Sequence, residues 1–152
     1  MTVSEKLHQR FAMLSLWYSL SANTETPPYE DECSWRSVEC YEEKVEGVYL
    51  ARKLWEGEIP TTIGLLKSLK ALDLSDNRIK GSIPEELYEC ENLTHVYLHD
   101  NKLTGTLSES ILNLYGLEEL FLGSNALSGS IPRNLRSISK TTPRPLRKFY
   151  VR

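Results

Sequence analysis

A pattern of apolar residues repeats along this chain at a step of 24 residues. The copies begin at Val45, Leu69, Leu93 and Leu117, and each follows the form L-x-x-L-x-L-x-x-N-x-L-x-G-x-I-P with small variations. All seven apolar slots of every copy hold an apolar residue, Cys or Trp. A repeat of this length predicts a stack of similar coils, and it argues against a closed globule with a catalytic cleft.

Each recurring residue type has a structural role in this pattern. The L-x-x-L-x-L segment predicts a short strand with alternate side chains inward, and strands of successive coils then pair in parallel. An amide can bond backbone groups at the bend, glycine permits a tight turn, and proline suits the start of a short helical turn. These residues are Asn77, Asn101 and Asn125; Gly57, Gly81, Gly105 and Gly129; and Pro60, Pro84 and Pro132, with Ser108 expected to cap the third turn instead.

This pattern resembles the leucine-rich repeat, and its G-x-I-P close resembles the plant-type subclass that microalgal proteins also use. The resemblance covers residues 33–140. It implies an α/β solenoid, a right-handed coil of four repeats with a parallel concave sheet and an N-terminal cap of helix and cysteines. We divide the chain into a cap (1–44), four leucine-rich repeats (45–68, 69–92, 93–116 and 117–140) and a basic tail (141–152) that is disordered or truncated.

The cysteines fit the same resemblance. The segment C-S-W-R-S-V-E-C resembles the C-x-W-x-G-V-x-C cap that precedes plant-type repeats, and this implies a disulfide between Cys33 and Cys40. Two free thiols are the alternative, as expected in a reducing compartment. Cys90 occupies a core slot, where a free cysteine behaves as a small hydrophobe.

An amphipathic helix is predicted near the start of the chain. Leu7, Phe11, Leu14 and Tyr18 fall on one helical stripe, and Thr2 with Glu5 resembles a capping box. The similar microalgal proteins carry such a helix before the cysteine cap. We expect the apolar stripe to cover the open N-terminal end of the stack.

The other end of the chain is basic. Residues 133–152 hold seven Lys or Arg and no Asp or Glu, which leaves a net charge of −10 on the rest. A fifth coil would begin at Thr141, but Arg144 and Pro145 fall in its strand, so the stack is expected to end near Lys140. Four apolar residues of the tail are candidates to cover the last coil: Leu146, Phe149, Tyr150 and Val151.

Function is expected on the concave face, because the solvent-facing strand residues of a coil stack form one continuous surface. Cross-strand packing that only stabilises the sheet is the alternative for its aromatic residues. His95 beside Glu119 predicts a surface ion pair, and Arg52 is expected to offset Asp76. The candidate ligand-binding residues are Tyr49, Asp73, His95, Tyr97, His99 and Phe121.

Motifs for catalysis are missing from the sequence: it has no P-loop, no H-E-x-x-H, no G-x-S-x-G and no kinase signature set. We predict a non-catalytic module for protein or peptide recognition, with no cofactor, metal, nucleic-acid partner or membrane span in this chain. It is expected to be a monomer, or to associate weakly through the uncapped C-terminal coil. The sequon Asn92-Leu93-Thr94 predicts glycosylation at Asn92.

The resemblance implies the extracellular part of a receptor-like or secreted signalling protein, at or outside the plasma membrane. One alternative is a secreted inhibitor or a binder of cell-wall glycans or enzymes. A second is a fragment of a receptor kinase whose kinase domain lies outside this chain. A third is a cytoplasmic scaffold, if the chain is complete, in which the cysteines stay reduced.

Overall fold

The computed structural model describes residues 1–21, 26–28, 31–135 and 148–150. Its described elements are one α-helix, six strands and four 3-10 helices. The α-helix is α1 (Val3–Leu20), and the strands are β1 (Val38–Tyr41), β2 (Lys44–Tyr49), β3 (Ala71–Asp73), β4 (His95–Tyr97), β5 (Glu119–Phe121) and β6 (Lys148–Tyr150). The 3-10 helices are Glu32–Ser34, Thr61–Leu65, Glu85–Glu89 and Glu109–Asn113.

The strands form one sheet in chain order. Strands β2 to β5 pair in parallel. Val48 pairs with Leu72, Leu72 with Val96, and Val96 with Leu120. This register repeats the 24-residue step of the sequence, because each coil returns the chain to the same place on the sheet. The structure is therefore a leucine-rich-repeat type of solenoid with a parallel sheet, as predicted.

The apolar slots of the repeat form the core. Every slot of the first three copies is buried, from Val45 to Leu114. In the fourth copy Leu120 and Leu135 are fully buried, whereas Ile131 is 45% exposed at the C-terminal end of the described stack. In β3, β4 and β5 the central side chain of three points inward and is buried, and the residues on either side of it are half-buried.

Asparagine side chains connect each coil to its neighbour, as the motif predicts. The Asn77 Oδ1 atom accepts hydrogen bonds from the backbone N–H groups of Lys53 and Trp55, at 3.0 and 3.1 Å. Its Nδ2 donates to the carbonyls of Leu50 and Leu74 at 2.9 and 3.0 Å. Asn101 and Asn125 repeat the arrangement one and two coils further along. Each amide satisfies backbone groups that the bend would otherwise leave buried and unpaired.

The turn residues hold their predicted places with two refinements. Pro60 and Pro84 are the residues that precede their 3-10 helices, one position earlier than expected, and Ser108 caps the third one through Ser110 N–H at 3.1 Å. Gly81 and its counterparts Gly105 and Gly129 have φ near +80°, which favours glycine. Gly57 is instead required by close approach, because a Cβ there would overlap the Ser19 carbonyl of α1.

Helix α1 begins with the predicted capping box, in which Glu5 N–H donates to Thr2 Oγ1 and Thr2 N–H donates to Glu5. The predicted core stripe is wrong, however, at three of its four residues, and only Leu14 packs against the core, where it is partly buried. Leu7 and Phe11 are 64% and 58% exposed, and Tyr18 is also exposed. The opposite side of the helix is buried, at Gln9, Ala12, Met13, Leu16 and Leu20. The helix has two apolar sides, so periodicity alone did not determine which side packs on the coils.

A buried polar residue, Gln9, lies at the interface between α1 and the first coil. Gln9 is only 7% exposed, and its Oε1 accepts the Val45 N–H at 2.8 Å. Its Nε2 donates to the Glu43 carbonyl and to the Glu32 carboxylate, each at 2.9 Å. Arg10 Nη1 lies 3.2 Å from the same carboxylate, which is 2% exposed. Gln9 thus connects α1 to the start of the first coil and to the cap residues before it, whereas Asn77 bonds the far end of the same strand segment.

Three tryptophans and a disulfide fasten this end of the molecule. The Trp17 ring on α1 contacts Trp35 and Trp55 edge to face, with ring centroids 5.2 and 5.0 Å apart. Cys33 and Cys40 form the disulfide that the family resemblance implied. Cys90 is free and buried, its Sγ lies 3.3 Å from the Ile63 carbonyl, and burial raises its pKa to about 12.

Replacing Cys33 and Cys40 by Ser should lower the free energy of unfolding by roughly 2–3 kcal/mol, because the bond closes a short loop that unfolding would otherwise open. Urea denaturation measures this loss. The control is Cys90→Ala, which removes a cysteine but leaves the disulfide intact. Unfolded protein from an oxidising compartment should show one free thiol before reduction and three after it. Three thiols before reduction would contradict the disulfide.

Strand β1 was not predicted from the sequence. It pairs antiparallel with β2, and Tyr41 faces Lys44 across a two-residue turn. Both turn residues have positive φ, 49° at Glu42 and 62° at Glu43. Such turns usually carry Asn or Gly, so two glutamates gave no hairpin signal.

The tail also differs from its prediction at three residues. Lys148–Tyr150 form β6, which pairs in parallel with β5 and places Lys148 beside Glu119. That is a step of 29 residues, whereas the residues at a step of 24 are 143–145, which include two prolines that cannot donate to a strand ladder. The rest of the predicted tail, 141–147 and 151–152, lies outside the described residues, as does the end of the fourth predicted repeat, 136–140.

Candidate binding face

The solvent-facing side of β2 to β6 is called the sheet face below. It has two columns of side chains, because residues on either side of each buried central residue face outward. The first column is Gly47, Ala71, His95, Glu119 and Lys148, and the second is Tyr49, Asp73, Tyr97, Phe121 and Tyr150. His99 lies two residues beyond β4 on the same side, so the structure brings all the predicted ligand-binding residues to one face.

Aromatic rings form a continuous row at the C-terminal half of this face. The Tyr97 and Phe121 ring centroids are 5.4 Å apart, and Phe121 stacks on Tyr150 at 5.0 Å with an interplanar angle of 27°. The His99 ring lies 5.8 Å from Phe121. Tyr150, a predicted cover for the last coil, is instead 61% exposed and extends the row.

A carboxylate that binds two neighbouring side chains fixes Tyr97 within the row. Tyr97 OH donates to Glu119 Oε2 at 2.7 Å, and Lys148 Nζ lies 3.0 Å from Glu119 Oε1. The hydrogen bond from Tyr97, followed by that from Lys148, lowers the pKa of Glu119. Burial, followed by the hydrogen bond to Glu119, raises the pKa of Tyr97 well above its usual range. The carboxylate is therefore charged and the phenol neutral at physiological pH.

The predicted ion pair between His95 and Glu119 is not what the structure shows. Both oxygens of Glu119 are taken by Tyr97 and Lys148, while His95 Nδ1 lies 2.8 Å from Thr94 Oγ1. Lys148 enters from β6, a strand that the 24-residue repeat does not predict. Because Lys148 pairs with Glu119 in the register of β5 and β6, the lysine forms the ion pair that the sequence predicts for His95.

The N-terminal half of the face contains a shallow hollow of about 450 Å³. Arg52 Nε lies 3.4 Å from Asp76 Oδ2 on its rim, as predicted. Asp73 is held inside it by Ser75, whose N–H and Oγ donate to the same carboxylate oxygen at 3.0 and 2.6 Å. The lining residues are Ala51, Arg52, Asp73, Ser75, Asp76, Tyr97 and His99.

Comparison with known families supports the identity that these coils suggest. A model of leucine-rich repeats in two copies matches residues 67–109, and a single leucine-rich-repeat model matches residues 116–138. Solved structures that match this chain include leucine-rich-repeat ectodomains of plant receptors. The chain is a plant-type leucine-rich-repeat protein.

Three solved structures illustrate the similarity of this leucine-rich-repeat protein to receptors. The ectodomain of the receptor kinase SOBIR1 from Arabidopsis thaliana is 25% identical, with a TM-score of 0.74, and the match covers 84% of this chain and 72% of that one. PEPR1 in complex with AtPEP1 is 30% identical, with a TM-score of 0.77, over 87% of this chain and 20% of PEPR1. The Arabidopsis thaliana receptor GASSHO1/SCHENGEN3, in complex with CASPARIAN STRIP INTEGRITY FACTOR 2, is 28% identical with a TM-score of 0.74, over 84% and 17%.

The leucine-rich-repeat protein thus spans about a fifth of the length of PEPR1 and of GASSHO1/SCHENGEN3. No curated protein sequence matches it significantly. Within the residues that the structure describes, no helix has the length and apolar character needed to cross a bilayer. The same residues contain no group of three His, Cys, Asp or Glu side chains placed to hold a metal ion.

Asn92 of this leucine-rich-repeat protein lies in the connection that leads into β4 and is exposed. Its Nδ2 donates to the Lys67 carbonyl at 2.8 Å, and Thr94 Oγ1 donates to the Lys70 carbonyl at 2.9 Å. The sequon is therefore ordered and reachable. Glycosylation at Asn92 stays a prediction.

Proposed function

We propose that this chain is a non-catalytic recognition module whose sheet face binds a peptide or an extended protein segment. We further propose that it belongs to the extracellular part of a receptor-like or secreted protein. The observation that carries the proposal is the solvent-facing row of Tyr97, Phe121 and Tyr150, which continues across three adjacent strands. The first two rings are half-buried against their neighbours, and Tyr150 is exposed. Aromatic residues in this setting are enriched at protein interfaces, and they give a partner large, rigid contact areas.

Two further observations support the proposal. PEPR1 and GASSHO1/SCHENGEN3, which have the same fold at 30% and 28% identity, are each complexed with a partner in their structures. The Cys33–Cys40 disulfide fits an oxidising compartment, where such bonds form and persist. Neither the row nor the hollow brings together a nucleophile, a base and an enclosed pocket, so the face suits binding better than chemistry.

The proposal can be tested with a library of random heptapeptides displayed on phage. Peptides selected on the folded chain should lose binding at least roughly tenfold when Tyr97→Ala and Phe121→Ala are combined, because truncating aromatic anchors at an interface costs more than about 1 kcal/mol each. Circular dichroism checks that the double variant keeps its fold.

The matched control is Lys80→Ala combined with Thr104→Ala, on exposed residues outside the sheet face. These changes should leave binding within about twofold. If the control pair abolishes binding and the aromatic pair does not, the binding face is assigned to the wrong side. The fold assignment would be unaffected by that result.

A further inference from the structure

One carboxylate on the sheet face belongs to a residue that pairs with a tyrosine on each neighbouring strand. Asp73 pairs in register with Tyr49 on β2 and with Tyr97 on β4, so a tyrosine stands about 4.8 Å away along the sheet on each side. Asp73 also lines the hollow described above, together with Tyr97. The carboxylate therefore opens onto a space with an aromatic wall.

The orientation of this carboxylate is fixed by its own strand. Ser75 is 4% exposed, and both its N–H and its Oγ donate to Asp73 Oδ1. Oδ1 is thus occupied, whereas the structure records no hydrogen bond to Oδ2 among the described residues. The buried serine fixes one oxygen and leaves the other able to bind a partner from solution. Because the carboxylate is already held in place, it loses little conformational entropy on binding.

The neighbouring carboxylates already have partners. Glu119 binds Lys148 and Tyr97, and Tyr49 OH donates to Glu39 at 3.0 Å. Asp76 lies 3.4 Å from the guanidinium of Arg52, as noted above. Both tyrosine hydroxyl protons are therefore directed away from Asp73. Among the described residues, no Lys or Arg side chain forms an ion pair with Asp73.

We propose that Asp73 recognises a cationic side chain, an arginine or lysine, of the peptide that the sheet face binds. This inference rests on the proposed function and adds the chemistry of the ligand. A guanidinium or ammonium group in the hollow would meet the free oxygen of Asp73, and it would lie against the Tyr97 ring, where a cation is attracted to the aromatic face. The apolar part of such a peptide would then reach Phe121 and Tyr150 two and three strands further along.

A variant of the rim residue Arg52 distinguishes a cationic ligand group from an anionic one. If the ligand group is cationic, Arg52→Ala should tighten binding, because the change removes a like charge and releases the carboxylate of Asp76. If the ligand group is anionic, Arg52 is its partner and the same change should weaken binding. The sign of this one effect therefore tests the charge of the ligand.

The experiment uses heptapeptides selected from the random phage-displayed library on the wild-type chain. We expect enrichment in Arg or Lys relative to the unselected library. Synthetic versions should bind Asp73→Asn roughly tenfold more weakly, which is the size of one hydrogen bond to a charged group. Asparagine keeps the side-chain shape and an oxygen for Ser75. Asp100→Asn is the control, because it removes the same charge from an exposed neighbour of His99 and should change the affinity less than about twofold.

Three results would overturn the inference. The first is a set of selected peptides without Arg or Lys enrichment, the second is an equal loss with Asp73→Asn and Asp100→Asn, and the third is weaker binding by Arg52→Ala. If such peptides still depend on Tyr97 and Phe121, the binding face stands and only the role of Asp73 is wrong. If no peptide distinguishes the wild type from the Tyr97→Ala, Phe121→Ala variant, the proposed function fails as well.

Discussion

Gly57→Ala should detach helix α1 from the first coil and destabilise the protein by roughly 3 kcal/mol or more. A Cβ at this position overlaps the Ser19 carbonyl and lies 3.0 Å from Leu20 Cα, so backbone has to move. The hydrogen bond from Gly57 N–H to the Leu20 carbonyl and the bond from Ser19 Oγ to the Glu58 carbonyl should be lost together.

Tryptophan fluorescence measures this detachment directly. The chain has three tryptophans, and all of them lie at the junction between α1, the cysteine cap and the first coil. Gly116→Ala is the matched control, because its Cβ would meet neighbours only at 3.8 Å, an ordinary contact. Equal denaturation midpoints and equal emission spectra for the two variants would show that α1 does not rest on Gly57.

Leu98→Ala should lower the free energy of unfolding by roughly 2–5 kcal/mol, because it opens a cavity at a residue that is 1% exposed. Tyr97→Ala, one residue earlier, should cost about 1 kcal/mol, since it removes a ring contact and one hydrogen bond on the sheet face. Urea denaturation followed by circular dichroism measures both changes.

The pair of variants tests which strand residues point inward. Each coil contacts only its neighbours, so the cavity at Leu98 should also raise hydrogen exchange in the strands on either side, β3 and β5. Similar midpoints for Leu98→Ala and Tyr97→Ala would contradict the assignment of the two faces. A loss confined to β4, with β3 and β5 unchanged, would contradict the coupling between coils.

The sequence predicts the stack well because its signals are local and repeated. The register of β2 to β5 follows from the spacing, and the bonds of Asn77 follow from what an amide can donate and accept. The place of Tyr97 and Phe121 on one face follows from strand alternation. None of these inferences needs information from outside the repeat.

The errors lie where the repeat stops and contacts are not periodic. Helix α1 has apolar residues on both sides, and the side that docks is the one that also carries Gln9, a polar residue whose hydrogen bonds an apolar pattern does not reveal. Strand β6 lies five residues beyond the expected step, so Lys148 was not available as the partner of Glu119 in the sequence analysis. The two hydrogen bonds from Ser75 to Asp73 depend on side-chain geometry at a bend. A pattern of residue types does not specify that geometry.

The contacts of Gln9 also bear on how copies of this chain can assemble. Growth of a filament by stacking coil on coil requires two open ends on every molecule, one for each neighbour. At the N-terminal end the amide of Gln9 occupies the Val45 N–H, and α1 covers the apolar interior. One end is therefore closed, and any stacking through the last coil stops at a pair of molecules joined tail to tail.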